Sequence, residues 1–259
     1  MILRGKVFSE ILGMETGLSI IAPEHHQTES YKVIYLLHGL CGSSGDMIDY
    51  TMLPTYAAAY DIFFVLPEVG RSFYTDMKYG LPYFSYITKE LPGICKQVFN
   101  ISAKREMTGI IGGSMGGYGA LKAALSYPEQ YGFCGALSSA CLYLKEALDE
   151  QRQLGNTEDF KKKYGEQIPR DFLAAFGPEL LWQKENEILE LAKAIYKEKE
   201  KPVIYAACGK QDPFVEANIR FKTAMDLLDY DFSYEEWDGK HDWNFFNTAI
   251  ERALKKFAL

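Results

Sequence analysis

Apolar and polar positions alternate with two periods along this chain. Six short runs, Val33–Leu37, Ile62–Leu66, Met107–Ile111, Phe133–Leu137, Val203–Ala207 and Phe232–Trp237, are mostly apolar and carry β-branched or aromatic residues. Runs of this kind predict strands buried on both faces, as in a parallel sheet. Two earlier extended pieces, Val7–Leu12 and Leu18–Ala22, predict an antiparallel N-terminal strand pair. Helix-length segments separate the later runs: Asp49–Tyr60, Pro82–Phe99, Met115–Tyr127 and Pro213–Leu228, with Trp243–Phe257 after the last strand. In that last segment Phe246, Ile250, Leu254 and Phe257 recur at helical spacing and form one apolar stripe. The alternation predicts right-handed crossovers and an α/β fold, a mostly parallel, doubly wound sheet with helices on both faces.

One stretch breaks the rhythm. From Cys141 to Lys201 the patterns are helical, with Leu180–Leu191 amphipathic and Lys197–Lys201 an alternating charge run. No Gly/Ser/Pro-rich linker brackets it, so residues 141–201 are expected as a helical insertion over one end of the sheet, within a single domain of residues 1–259.

Composition narrows the partners. Twenty-eight Lys and Arg against 35 Asp and Glu leave a formal charge of −7, which argues against nucleic acid or an anionic membrane held by a basic surface. No apolar stretch reaches the roughly 18 residues that a membrane-spanning helix needs. The N-terminus, Met-Ile-Leu-Arg-Gly-Lys-Val, has no apolar core of a secretory signal, which points to the cytoplasm. The five cysteines (Cys41, Cys95, Cys134, Cys141, Cys208) form no C-x-x-C pair, so neither a zinc site nor a disulfide framework is expected. A small molecule is the expected partner, with a homo-oligomer left open.

The candidate chemistry centres on Gly112-Gly-Ser114-Met-Gly116, a G-x-S-x-G between a strand-like and a helix-like run. A sharp strand-to-helix turn strains the serine and projects its hydroxyl at the C-terminal edge of the sheet. Side chains at Gly112 and Gly116 are expected to collide there. The bland alternative is a Gly-rich turn. A serine needs a base, usually histidine, and four are present. His25 and His26 lie in a polar loop, and His38 precedes the nucleophile, whereas in such sheets the base follows it. That leaves His241, in Gly239-Lys-His-Asp-Trp243, between the last strand and the last helix. The acid should end the preceding strand, which selects Asp212 in Cys208-Gly-Lys-Gln-Asp212-Pro213. Its alternative use is a helix N-cap, and Asp238 and Asp242 are rivals. The oxyanion needs two N–H donors, expected from Met115 and from Leu40 in the loop His38-Gly-Leu40-Cys-Gly42. Cys41, with no paired histidine, reads as a small packing residue. Trp182 and Trp243 read equally as pocket or core residues. Tyr79, Tyr83, Phe84 and Tyr86 read mainly as packing.

Together, Leu36-Leu-His-Gly-Leu40, Tyr74-Thr-Asp76, Gly113-Ser-Met-Gly-Gly-Tyr118-Gly, Cys208-Gly-Lys-Gln-Asp212 and Gly239-Lys-His-Asp-Trp243 resemble the esterase D-like α/β-hydrolases, most of all the bacterial tributyrin esterases. The likeness runs through nearly the whole chain. It implies an α/β-hydrolase fold and hydrolysis of short-chain acyl esters by a Ser-His-Asp triad without a cofactor. The same family holds S-formylglutathione hydrolases, acetyl xylan and feruloyl esterases, and mycolyltransferases, so a thioester, a sugar or aryl ester, or an acyl acceptor other than water stays open. A non-catalytic binding module is the reading from another class, and it expects the nucleophile or base to be missing.

Overall fold

The apolar runs all form strands, because a sheet covered on both faces gives each a dry place for its side chains. The computed structural model describes residues 1–23, 30–155 and 157–258, with Lys163 by its backbone alone. His25 and His26 therefore lie outside the described residues. The strands are β1 (Ile2–Ser9), β2 (Met14–Ile21), β3 (Lys32–Leu37), β4 (Ile62–Pro67), β5 (Thr108–Gly113), β6 (Phe133–Leu137), β7 (Val203–Gly209) and β8 (Phe232–Trp237). They make one eight-stranded sheet in the order β1-β2-β4-β3-β5-β6-β7-β8. The β1–β2 and β2–β4 pairs are antiparallel and the remaining pairs parallel.

The helices are α1 (Asp46–Tyr50), α2 (Leu53–Tyr60), α3 (Tyr83–Ser85), α4 (Leu91–Val98), α5 (Met115–Ser126), α6 (Leu144–Leu154), α7 (Glu158–Tyr164), α8 (Gln167–Phe176), α9 (Ile188–Ile195), α10 (Val215–Met225) and α11 (Trp243–Ala258). A π-helical turn, Tyr86–Glu90, joins α3 to α4. Two apolar clusters divide along the strand period of two. Val33, Tyr35 and Leu37 join Leu121 and Ala124 of α5 on one face, while Ile34 and Leu36 join Ile250 and Leu254 of α11 on the other. The apolar stripe of α11 is thus the contact that covers the second face.

Several boundaries differ from the sequence expectation, β2 for one starting at Met14 and not at Leu18, and three of them have a clear local reason. β1 begins at Ile2 and not at Val7, since an edge strand tolerates the charges of Arg4 and Lys6 that interrupt the pattern. Asp49–Tyr60 is two helices: Thr51 is extended (φ −132°, ψ 172°), and Pro54, at the start of α2, suits a position whose N–H has no partner. The amphipathic Leu180–Leu191 is helical only from Ile188, because Leu180 takes a left-handed φ of 46° and Lys184–Asn186 forms a single 3-10 turn. Residues 141–201 otherwise hold α6 to α9 with no strand among the described residues. Among the described residues no helix is long and apolar enough to cross a membrane.

Candidate active site

The turn between β5 and α5 holds Ser114 at φ 58°, ψ −121°, a conformation that L-residues avoid unless the surroundings fix it. Its N–H donates to Leu137 O at the end of β6 (2.9 Å), and its own carbonyl accepts from Ala140 N (3.1 Å) and Gly117 N (3.0 Å). A Cβ on Gly112 would stand 2.1 Å from Gly116 O. One on Gly116 would stand 2.2 Å from Leu37 O, so this glycine makes room for the end of β3 rather than for β5. Strand, turn and helix therefore close only with glycine at both places.

His241 follows β8 and Asp212 follows β7, so the parallel pairing of those strands brings them to one edge. His241 Nδ1 lies 2.7 Å from Asp212 Oδ2. A carboxylate can only accept, so Nδ1 carries the proton and Nε2 is left as a base. Asp212 is 2% exposed, and two further donors reach it: Ser138 Oγ to Oδ2 (2.8 Å) and Phe214 N to Oδ1 (2.8 Å). Burial opposes its ionisation, but the bonds from His241, Phe214 and Ser138 outweigh it and hold the carboxyl below its ordinary range. The N-cap use weighed from sequence does not hold: α10 is capped at Phe214 with no side-chain bond, and the bond from Phe214 N–H to Asp212 closes an Asx-type turn before the helix. The rivals are engaged elsewhere: Asp242 Oδ1 accepts from Phe245 N (3.0 Å), and Asp238 is exposed beside Lys210. Phe214 and Phe246 meet the His241 ring edge-on at 5.3 and 5.1 Å and fix its plane.

Met115 opens α5, where an amide has no carbonyl one turn back to bond. On the opposite side, the Gly39–Leu40 peptide is held by its carbonyl, which accepts from His38 Nδ1 (2.8 Å) and Gly42 N (3.0 Å). His38 is buried, with Nε2 3.2 Å from both Val69 N and Glu68 Oε1. Burial opposes ionisation of Glu68, yet His38 and the amides of Gly70 and Ser44 bring its carboxyl down to about 2. Tyr74 OH donates to His38 O (2.8 Å), which ties the Tyr74–Asp76 segment to the same loop.

Ser114 stands where two cavities meet. An open cleft of about 770 Å³ is lined by His38–Gly42, Tyr50, Ser114, Phe214, His241 and Trp243. A cavity of about 330 Å³ under the 141–201 helices is lined by Leu40, Ser114, Met115, Tyr143, Phe172 and their neighbours. His241 lines the first alone, Met115 the second alone. Of the tryptophans weighed as pocket residues, Trp243 lines the cleft, stacked on Tyr50 at 5.0 Å, whereas Trp182 lines neither cavity and donates to Glu187 Oε2 (2.9 Å). Tyr83, Phe84 and Tyr86 pack against the core, and Tyr79 is exposed. Cys41 is not a packing residue: it is exposed on the cleft wall, because the loop turns its side chain outward, 3.6 Å from an Arg71 nitrogen.

Sequence reasoning passed over Ser138, Phe214 and Arg71. Ser138 was findable, since it directly follows a strand next to the one that delivers Asp212. Among the described residues no three His, Cys, Asp or Glu side chains converge as a metal-ligand set.

Comparison with known proteins sets this geometry in a family. A family model described as "Putative esterase" matches residues 9–257. An acetyl esterase of Caldicellulosiruptor saccharolyticus is 33% identical over 231 residues, covering 88% of this chain and 84% of the relative. Among solved structures, a fluorophosphonate-binding serine hydrolase of Staphylococcus aureus, with substrate bound, superposes with a TM-score of 0.85 at 27% identity, covering 100% of this chain and 98% of that one. An S-formylglutathione hydrolase from the same organism superposes with a TM-score of 0.82 at 27% identity, covering 100% and 99%. The sheet, with its antiparallel N-terminal pair, is the α/β-hydrolase fold of these serine hydrolases.

Proposed function

This chain belongs to the esterase family and is a carboxylic ester hydrolase, and from that premise we propose that it cleaves short-chain acyl esters with Ser114 as nucleophile, His241 as base and Asp212 as the acid that orients it. The observation that carries this reading is the 2.7 Å bond from His241 Nδ1 to a buried, ionised Asp212, on a cleft that Ser114 shares.

The cycle follows from the protonation states. His241 Nε2 takes the proton of Ser114 as Oγ attacks the ester carbonyl, and Asp212 stabilises the imidazolium that forms. The amides of Met115 and Leu40 hold the negative charge on the tetrahedral oxygen. His241 then gives its proton to the departing alcohol, and the acyl group stays on Ser114. A water, deprotonated by the same imidazole, attacks the acyl-enzyme and releases the acid. The leaving oxygen must face His241, so the alcohol occupies the open cleft, and the acyl chain occupies the cavity under the helical insertion, beside Met115. An apolar cavity of about 330 Å³ suits a small acyl chain.

An aryl or sugar leaving group is a second reading, favoured by the Tyr50–Trp243 stack on the cleft wall. Hydrolysis rates across acetyl, butyryl, octanoyl and feruloyl esters of one alcohol, and across ethyl, aryl and sugar acetates, test both. The proposal expects kcat/KM to peak at acetyl or butyryl. A peak at octanoyl or feruloyl contradicts it, and an aryl or sugar acetate cleaved much faster than ethyl acetate supports the second reading.

A further inference from the structure

Arg71, in the loop after β4, touches two regions that lie far from it in sequence. Its Nε and one terminal nitrogen both donate to Asp171 Oδ2, at 2.8 and 2.7 Å. Its other terminal nitrogen donates to Leu40 O at 3.2 Å. Asp171 belongs to α8 of the 141–201 insertion and is 6% exposed, and its second oxygen accepts from Gln167 Nε2 (2.8 Å). Its neighbours on α8, Ile168 and Phe172, line the cavity beside Ser114. The helix is stitched to the same loop elsewhere, by Lys78 N to Ala175 O and Tyr79 N to Ala174 O (both 2.9 Å), and by Phe172 on Phe73 with ring centres 4.8 Å apart.

Two peptide planes flank Leu40. The carbonyl of the first, Gly39 O, is held by His38 and Gly42; that of the second, Leu40 O, is held by Arg71. In a trans peptide the N–H points opposite to the carbonyl, so a fixed Gly39 O aims the Leu40 N–H. The bond to Leu40 O removes the remaining freedom about the Leu40 backbone. Only a guanidinium supplies this: its planar fork reaches one carboxylate oxygen twice and a carbonyl on the other side, which the single nitrogen of a lysine cannot do.

We infer that Arg71 is a positioning residue that ties the roof helix α8 to Leu40, and so holds one of the two oxyanion donors in place. The inference rests on the esterase reading above. Arg71 touches neither the nucleophile nor the base, and its effect falls on the tetrahedral state, where the oxyanion forms.

Removing Arg71 alone leaves the Asp171 carboxylate buried and unpaired, which strongly destabilises a fold. The test therefore uses the double variant Arg71→Met/Asp171→Asn, which removes both charges, and separately Arg71→Lys, which keeps Asp171 paired but cannot also reach Leu40 O. For p-nitrophenyl butyrate, both variants are expected to lose about 10- to 100-fold in kcat, the scale of a displaced catalytic donor, with KM within about twofold of the wild type. The inhibition constant of an alkyl trifluoromethyl ketone, which adds to serine as a tetrahedral oxyanion, rises by the same factor. Wild-type kcat and ketone affinity in whichever variant folds overturn the inference, as does a KM that rises by the same factor as the ketone constant, which marks a general loosening of the pocket. Fluorophosphonate labelling of wild-type Ser114 is run alongside: absence of an adduct there overturns the esterase reading itself, and presence confines any failure to Arg71.

Discussion

Replacing Asp212 with asparagine changes one atom, and the three donors around it decide the outcome. Oδ1 accepts from Phe214 N, while Oδ2 accepts from both Ser138 Oγ and His241 Nδ1. The amide of asparagine has one acceptor, and it can lie in either place. With its NH2 toward Phe214, two donors face each other in a buried site, at a cost of about 1–3 kcal/mol. With its NH2 in place of Oδ2, Phe214 keeps its acceptor and the Ser138 hydroxyl rotates to accept. His241 Nδ1 must then accept as well, so its proton moves to Nε2. The second arrangement leaves no buried group unsatisfied, so it wins, and it presents the wrong tautomer to Ser114. The expected loss in kcat is about 10⁴-fold, or roughly 5.5 kcal/mol of transition-state stabilisation. The variant stays folded near neutral pH, because each bond has a replacement. The assay is steady-state hydrolysis of p-nitrophenyl acetate, with thermal melting as the control. A folded Asp212→Asn enzyme within tenfold of the wild-type kcat refutes this account of the acid.

Two further substitutions probe the frame around the site. Gly112→Ala puts a methyl 2.1 Å from Gly116 O, against backbone that has no room to yield; a destabilisation of about 3 kcal/mol is expected from urea unfolding, and an unchanged midpoint contradicts the packing argument. Glu68→Gln tests linkage: a folded-state pKa lowered to about 2 makes ionised Glu68 stabilising at pH 5 and above, and that stabilisation disappears as the pH falls toward 2. Because Val69 N–H competes with Glu68 for His38 Nε2 and the carboxylate is part-exposed, the wild type should exceed the variant by only about 2 kcal/mol at pH 7, with the two unfolding curves converging near pH 2. A pH-independent gap refutes it.

Much of this was readable from residues in order. The strands were legible because burial on both faces demands unbroken apolar runs, and Ser114, Asp212 and His241 were legible as candidates because each follows such a run at one edge of a parallel sheet. What escaped depends on distances that no local pattern encodes. Arg71 meets Asp171 only once the insertion folds back, and Asp171 in isolation reads as one more polar helix residue. The exposure of Cys41 follows from how the loop after β3 turns, not from its neighbours in sequence. The split at Thr51 and Met52 had a local sign in Pro54, which marks a helix start more strongly than the surrounding apolar residues mark continuity. Leu180–Leu191 misled for the opposite reason: its amphipathic spacing is real, yet Glu187 spends its carboxylate on Trp182 and on Lys145 N, and the chain reaches those partners by leaving the helix.

The central claim is that one serine, made nucleophilic by His241, performs the reaction. Incubation of the wild type and of His241→Ala with a fluorophosphonate, followed by peptide mass spectrometry, tests it most directly. The account predicts a single adduct on Ser114 in the wild type, with labelling slowed by several orders of magnitude when His241 is removed. An adduct on another residue, or undiminished labelling without His241, contradicts it.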